Sequence, residues 1–269
     1  MNNEIVIVRA LWGDTPRSLN EVFPCPIFKN EVVYVWGTAN ERMLRGRGFE
    51  TVLMEEESSS AKYSTIHTQY YHKLEAIQRA NNEYGEFIFL DWDCFVLRPL
   101  DDYFYQTLKQ GNDVQVPVYA YDDAKYLGIP KLIMAQNKHL PKPTISEDLR
   151  LYMLSQEQQL RKYSWKQDNL LISPNFGFFY TRRPNIGNEL MEISLKNNLE
   201  NCIEEHAMFL WADCSLDDFI QKYEPKIIQG TADESRVLLY NYNYTTDPVY
   251  NINRYISEKI NKEIYLKHI

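Results

Sequence analysis

Two carboxylates one residue apart, Asp91 and Asp93, follow the unbroken apolar run Phe87-Ile88-Phe89-Leu90. In extended backbone, residues two apart point the same way, so the pair is expected to project together while Trp92 faces oppositely. Adjacent carboxylates repel, and a divalent cation removes that repulsion. An all-oxygen donor set favours Mg²⁺ or Mn²⁺ over softer metals. A bare Asp-x-Asp arises by composition roughly once in a few hundred residues, so its weight comes from what positions it.

The run Phe87–Leu90 lacks alternation, as a strand covered on both faces does. Before it, Ile66, Tyr70, Leu74, Ile77 and Tyr84 follow helical spacing until Gly85, which predicts a helix over 66–84. Lys73 falls at the edge of that apolar stripe, where its ammonium either snorkels to solvent or meets an anion. Strands are expected at Ile5–Ala10, Val32–Trp36, Thr51–Met54, Asp113–Tyr119 and Phe176–Tyr180. Helices are expected at about Ile186–Leu199 and Glu204–Tyr223, with a loop over 121–142 and a short polar helix ending in Lys267-His268-Ile269. Strand, helix, strand at this spacing implies a parallel sheet flanked by helices, and ligands of such sheets bind beyond the strands' carboxyl ends, where Asp91 and Asp93 fall.

A chain of 269 residues, 44% hydrophobic, can bury a substantial core, and is read as one domain. The net charge of −8 and the lack of a basic run disfavour nucleic acid as a partner. No segment approaches the ~18 consecutive apolar residues of a membrane span, and Met1-Asn2-Asn3-Glu4 carries no basic leader, so a cytoplasmic protein without an integral membrane segment is expected. Four scattered cysteines, Cys25, Cys94, Cys202 and Cys214, show no CxxC spacing and read as reduced thiols. Twenty Tyr and five Trp suit sugar rings and nucleobases, but also an ordinary core.

The segment Phe87–Asp93, with Val96 and Leu97-Arg98-Pro99-Leu100, resembles the DxD segment of GT-A-fold glycosyltransferases, above all the group around glycosyltransferase family 8 and small viral and bacterial relatives. Ser173-Pro174-Asn175-Phe176-Gly177-Phe178-Phe179 is similar to the Asn-x-Gly strand lining that group's sugar and acceptor pocket. Glu204-Glu205-His206-Ala207-Met208-Phe209 falls where such enzymes open a helix beneath the transferred sugar. The resemblance implies an α/β GT-A fold with a mostly parallel central sheet, one domain over 1–269 with a nucleotide-binding half (1–100) and an acceptor and sugar half (101–269). It implies a metal-dependent hexosyltransferase that moves a sugar from a nucleoside-diphosphate sugar, UDP-linked, to a hydroxyl of a glycan or other acceptor.

Under that resemblance Asp91 contacts ribose or sugar and helps hold Mn²⁺ or Mg²⁺, Asp93 ligates the metal, and His268 is the C-terminal ligand by position, although no Gly-x-x-Lys-Pro-Trp follows it. Lys73 reaches toward phosphates or sugar, and Arg9, Ala10 and Trp12, with Gly13, line the nucleoside pocket. Asn175, Gly177 and Asp168 bind sugar hydroxyls or their surroundings. Glu204 and Glu205 either favour a helix N-terminus or act on substrate: Glu205 as general base in an inverting enzyme, or as a positioning group in a retaining one. Two other classes stay open: a haloacid-dehalogenase-like Mg²⁺ phosphatase, which also sets Asp-x-Asp after a strand, and a non-catalytic nucleotide or carbohydrate module.

Overall fold

The structure, a computed structural model, describes residues 5–13, 25–54, 71–92, 94–96, 98–122, 158–168, 170–199, 202–225, 236–241 and 263–268. Its strands are β1 Val6–Leu11, β2 Glu31–Trp36, β3 Glu50–Met54, β4 Phe87–Leu90, β5 Cys94–Val96, β6 Val114–Gln115, β7 Val118–Asp122, β8 Trp165–Gln167, β9 Leu170–Pro174, β10 Phe178–Thr181, β11 Arg236–Asn241 and β12 Glu263–His268. Its helices are α1 Thr38–Gly46, α2 Tyr71–Tyr84, α3 Asp102–Gln110, α4 Ile186–Lys196, α5 Ile203–Ala212 and α6 Leu216–Tyr223. None is long and apolar enough to cross a membrane among the described residues.

A six-stranded sheet runs β3-β2-β1-β4-β10-β6. The first four strands are parallel, and β10 is antiparallel to both neighbours. It is therefore a mixed α/β fold with a mainly parallel sheet, and β10 brings the later part of the chain into register with β4. One face packs Val8, Ala10, Tyr34, Trp36, Phe87, Phe89 and Phe179 against α2, α4, α5 and α6. The other buries Ile7, Ile88, Leu90, Phe178 and Tyr180 with Phe104 and Leu108 of α3, and Val33 and Val35 with Leu44 of α1. Covering both faces explains the continuous apolar strands.

Helix α2 stops at Gly85, whose φ of 72° costs a glycine little. Its Asn81 bridges to α4: the Gly187 N–H donates to Asn81 Oδ1 (3.2 Å), and Asn81 Nδ2 donates to the Arg183 carbonyl (3.1 Å). The two helices meet closely at Gly187, where a Cβ would lie 2.6 Å from the Gln78 Cα. Gly187→Ala is therefore expected to cost about 1–3 kcal/mol through overpacking, despite alanine's better helix propensity. A chemical-denaturation midpoint equal to that of the parent would contradict this backbone-to-backbone contact.

The structure corrects three expectations. Glu204–Tyr223 is two helices, because Asp213 turns left-handed (φ 43°) and Ser215 caps α6 by accepting from the Asp218 N–H (3.2 Å). The strand expected at Asp113–Tyr119 splits into β6 and β7 around Val116 and Pro117, and β9, unexpected from sequence, pairs with β7. The expected C-terminal helix is strand β12, central to a second sheet ordered β11-β12-β5. There Tyr265 and Leu266 are fully buried, so long-range pairing overrides the polar local sequence. Residues 66–70 and the loop at 123–142 lie outside the described residues.

Candidate active site

At Leu90 the β4 ladder ends and the chain turns, with the Cys94 N–H donating to the Asp91 carbonyl (3.1 Å). Asp91 thus opens a tight turn. Asp93 lies outside the described residues. The Asp91 N–H donates to the Gly177 carbonyl (3.0 Å), continuing the pairing of Leu90 with Phe178. Gly177 N–H in turn donates to Asn175 Oδ1 (3.1 Å), and Asn175 Nδ2 donates to Glu205 Oε1 (3.4 Å). A chain of hydrogen bonds therefore connects the Asp91 turn, the loop between β9 and β10, and the first turn of α5.

From the opposite side α2 delivers Lys73, whose Nζ lies 2.5 Å from Asp91 Oδ2 and 3.0 Å from Glu204 Oε1. The Lys73 side chain that the helical stripe left between solvent and an anion is buried against two carboxylates. Burial opposes its charge, but Asp91 and then Glu204 overcome that cost and hold its pKa above the ordinary lysine range. Glu205 is raised as well, from 4.5 to about 8, by burial and next by the Glu204 charge, with Lys73 and the Phe176 amide in opposition, so here the neutral form gains. The Asp91 side chain is 28% exposed, against 9% for Lys73 and for Glu204, so the cluster opens to solvent at Asp91.

Near neutral pH, Glu205 is thus largely a neutral carboxylic acid that can donate a hydrogen bond. A carboxyl whose pKa rises on folding contributes stability below its unfolded value and loses it as pH climbs through the folded value. At about 1.4 kcal/mol per tenfold, the wild type should lose a few kcal/mol relative to Glu205→Gln between pH 4.5 and 8. Melting curves of the two proteins across that range are expected to converge or cross as pH rises. Parallel curves would show that Glu205 does not titrate this way.

Asp91 and Glu204, which both face Lys73, offer the oxygen donors that a hard divalent cation takes, and Glu205 beside them is largely neutral near neutral pH. Among the described residues, however, no group of three or more His, Cys, Asp or Glu side chains could hold a metal ion. Asp91 Oδ2 already faces Lys73, so a cation here would depend on Asp93 and on ligand oxygens as well. The backbone of His268 pairs with that of Cys94 across β12 and β5, next to the turn; its side chain lies outside the described atoms.

Trp12 stands at the end of β1 and Trp36 at the end of β2. Trp36 stacks on His72 of α2 (centroids 4.3 Å, 27° between planes), and Trp12 meets both rings edge-on at 6.0–6.3 Å. The Trp36 indole N–H is buried with no partner among the described residues. Sequence reading singled out Trp12 but not Trp36 or His72; the aromatic end of β2, immediately before Gly37, was the available signal. Arg9 and Ala10 are placed beneath the site: Arg9 is wholly buried, and Ala10 presents its carbonyl to the Trp92 indole N–H (2.8 Å). Asp168 is exposed in the β8–β9 turn at φ 53°, a turn position that Asp tolerates.

No family model matches the chain, and no curated protein is similar to it in sequence. Among solved structures, the apo crystal structure of mouse xyloside xylosyltransferase 1 is similar over 98% of this chain and 97% of that one, at 9% identity and a TM-score of 0.39.

Proposed function

We propose that the protein is a GT-A-type glycosyltransferase that moves a sugar from a nucleoside-diphosphate donor, UDP-linked, to an acceptor hydroxyl with Mn²⁺ or Mg²⁺. The observation that supports this best is the half-open carboxylate cluster of Asp91, Glu204 and Glu205 around Lys73, beyond the carboxyl end of central strand β4. Open α/β sheets bind nucleotides at that edge. An acidic pocket accepts a diphosphate only where cations offset its charge, and Lys73 with a metal beside Asp91 and Asp93 would do so.

In this reading the metal, when bound, acts as a Lewis acid toward the diphosphate leaving group. The chain's own residues divide the remaining work. Lys73 fixes the Asp91 carboxylate and adds positive charge near the phosphates. Trp36, stacked on His72, and Trp12, edge-on to both, supply an aromatic wall for the nucleoside at the ends of β1 and β2. Asn175 and Glu205 face the sugar. Glu205, raised to about 8 by burial, donates to a sugar hydroxyl when protonated and takes the acceptor's proton when ionised, so a pKa near the operating pH fits either role.

Release of UDP or GDP from a panel of nucleotide-sugars, with Mn²⁺ or with chelator, tests the reading. Metal-dependent release from one donor class, increased by sugar acceptors, supports it. Hydrolysis of p-nitrophenyl phosphate without release from any donor would assign the site to the phosphatase class instead. Sugar binding without either reaction would leave a non-catalytic module.

A further inference from the structure

The face of the sheet that packs α1 is lined by Leu11, Val33, Val35, Leu44, Phe49 and Trp92, all buried and apolar or aromatic. Within the same sheet, Arg9 of β1 is 0% exposed. A guanidinium here is a costly choice if stability alone is served, because a buried ion pair often contributes no more than well-packed apolar residues of the same volume. Its bonds point elsewhere. Arg9 Nε donates to Glu31 Oε1 (2.6 Å), and Nη1 donates to the backbone carbonyl of Asp91 (2.8 Å). The other Glu31 oxygen accepts from the amides of Ile27 (3.1 Å) and Phe28 (3.4 Å), which anchors the carboxylate.

The Asp91 carbonyl has left the β4 ladder, and it accepts from both the Cys94 N–H and Arg9 Nη1. The guanidinium also lies 4.8 Å from the centre of the Trp92 ring, whose indole N–H is tied to the Ala10 carbonyl (2.8 Å). The turn bearing the Asp91 carboxylate is thus gripped from below at two consecutive residues, Asp91 and Trp92, by two consecutive residues of β1. We infer that Arg9, oriented by Glu31, is a positioning residue that sets the Asp91 to Cys94 turn for cation binding; the cation-binding part rests on the metal reading above. Arg9 acts through the turn and, being wholly enclosed, does not touch the nucleotide.

The geometry calls for arginine specifically. A rigid fork serves Glu31 and the Asp91 carbonyl at once, whereas a lysine ammonium keeps the charge but cannot span both in the same arrangement. Arg9→Lys therefore separates charge from grip. The double variant Arg9→Met with Glu31→Leu removes the grip together with the buried carboxylate that faces it, which preserves folding if the single variant does not.

Two readouts test the inference on the full chain. Amide hydrogen exchange of the segment from Asp91 to Val96 in metal-free buffer reports the turn itself, and titration of free Mn²⁺ by electron paramagnetic resonance reports the cation site. In each folded variant, exchange of that segment is expected to rise about tenfold with α4 and α5 unchanged, and Mn²⁺ affinity to fall about tenfold, as loss of supporting groups around metal ligands does. Unchanged exchange at 91–96 in both variants overturns the inference. Faster exchange in the variants, with no Mn²⁺ bound by the wild type, upholds the grip on the turn and overturns the metal reading instead.

Discussion

Lys73→Met is expected to lower the unfolding free energy by about 3–5 kcal/mol, the usual cost of leaving buried charges without their partner. For a chain of this size that is roughly 10 °C in Tm. The reason is geometric: Lys73 is the ammonium that sits between Asp91 (2.5 Å) and Glu204 (3.0 Å), and its charge also opposes protonation of Glu205. Removing it raises the Glu205 pKa further, and a raised carboxyl loses its stabilising contribution as pH climbs. The deficit should accordingly be largest near pH 8 and shrink toward pH 5. Adding Glu204→Gln to Lys73→Met should restore part of the loss, and a double-mutant cycle would then give a coupling of 1 kcal/mol or more. A snorkelling lysine would show a deficit within about 0.5 kcal/mol and no pH dependence.

Asp91→Asn is expected to lower turnover of the nucleotide-sugar by about 10³, or roughly 4 kcal/mol of transition-state stabilisation. The fold should survive, because an asparagine oxygen still accepts from Lys73 Nζ. Asp93→Asn should lower turnover by a similar factor, with a larger rise in the metal concentration needed for half activity. Steady-state rates over a Mn²⁺ series separate the two: a variant at position 91 that keeps full turnover would exclude it from the chemistry.

The sheet was legible because its strands are covered on both faces. Phe87-Ile88-Phe89-Leu90 has no alternation to misread, and Gly85 with φ 72° marks the end of α2. Lys73 was visible as a misplaced charge on an apolar stripe, but its partners belong to residues 18 and about 130 positions away, which no local pattern reveals. The antiparallel insertion of β10 between β4 and β6 was hidden for the same reason. Strand β12 was misread as a helix because its stability comes from pairing with β11 and β5, not from local propensity. Arg9 was expected to face a nucleoside because it ends an N-terminal strand. Its burial could not be seen without Glu31, whose anchoring amides at Ile27 and Phe28 sit just before β2. The break between α5 and α6 did have a local sign, Ser215 three residues before Asp218, the pattern of a helix start.

If the Asp91 turn holds a nucleotide through a divalent cation, as proposed, thermal unfolding with UDP, GDP and nucleotide-sugars, each with and without Mn²⁺, reports it. At a ligand concentration about 100 times Kd, the wild type should gain about 2.7 kcal/mol, or roughly 5–10 °C, with one nucleotide class and only when Mn²⁺ is present; Asp93→Ala should gain nothing. An equal shift in Asp93→Ala, or no shift of the wild type with any nucleotide, would contradict the account.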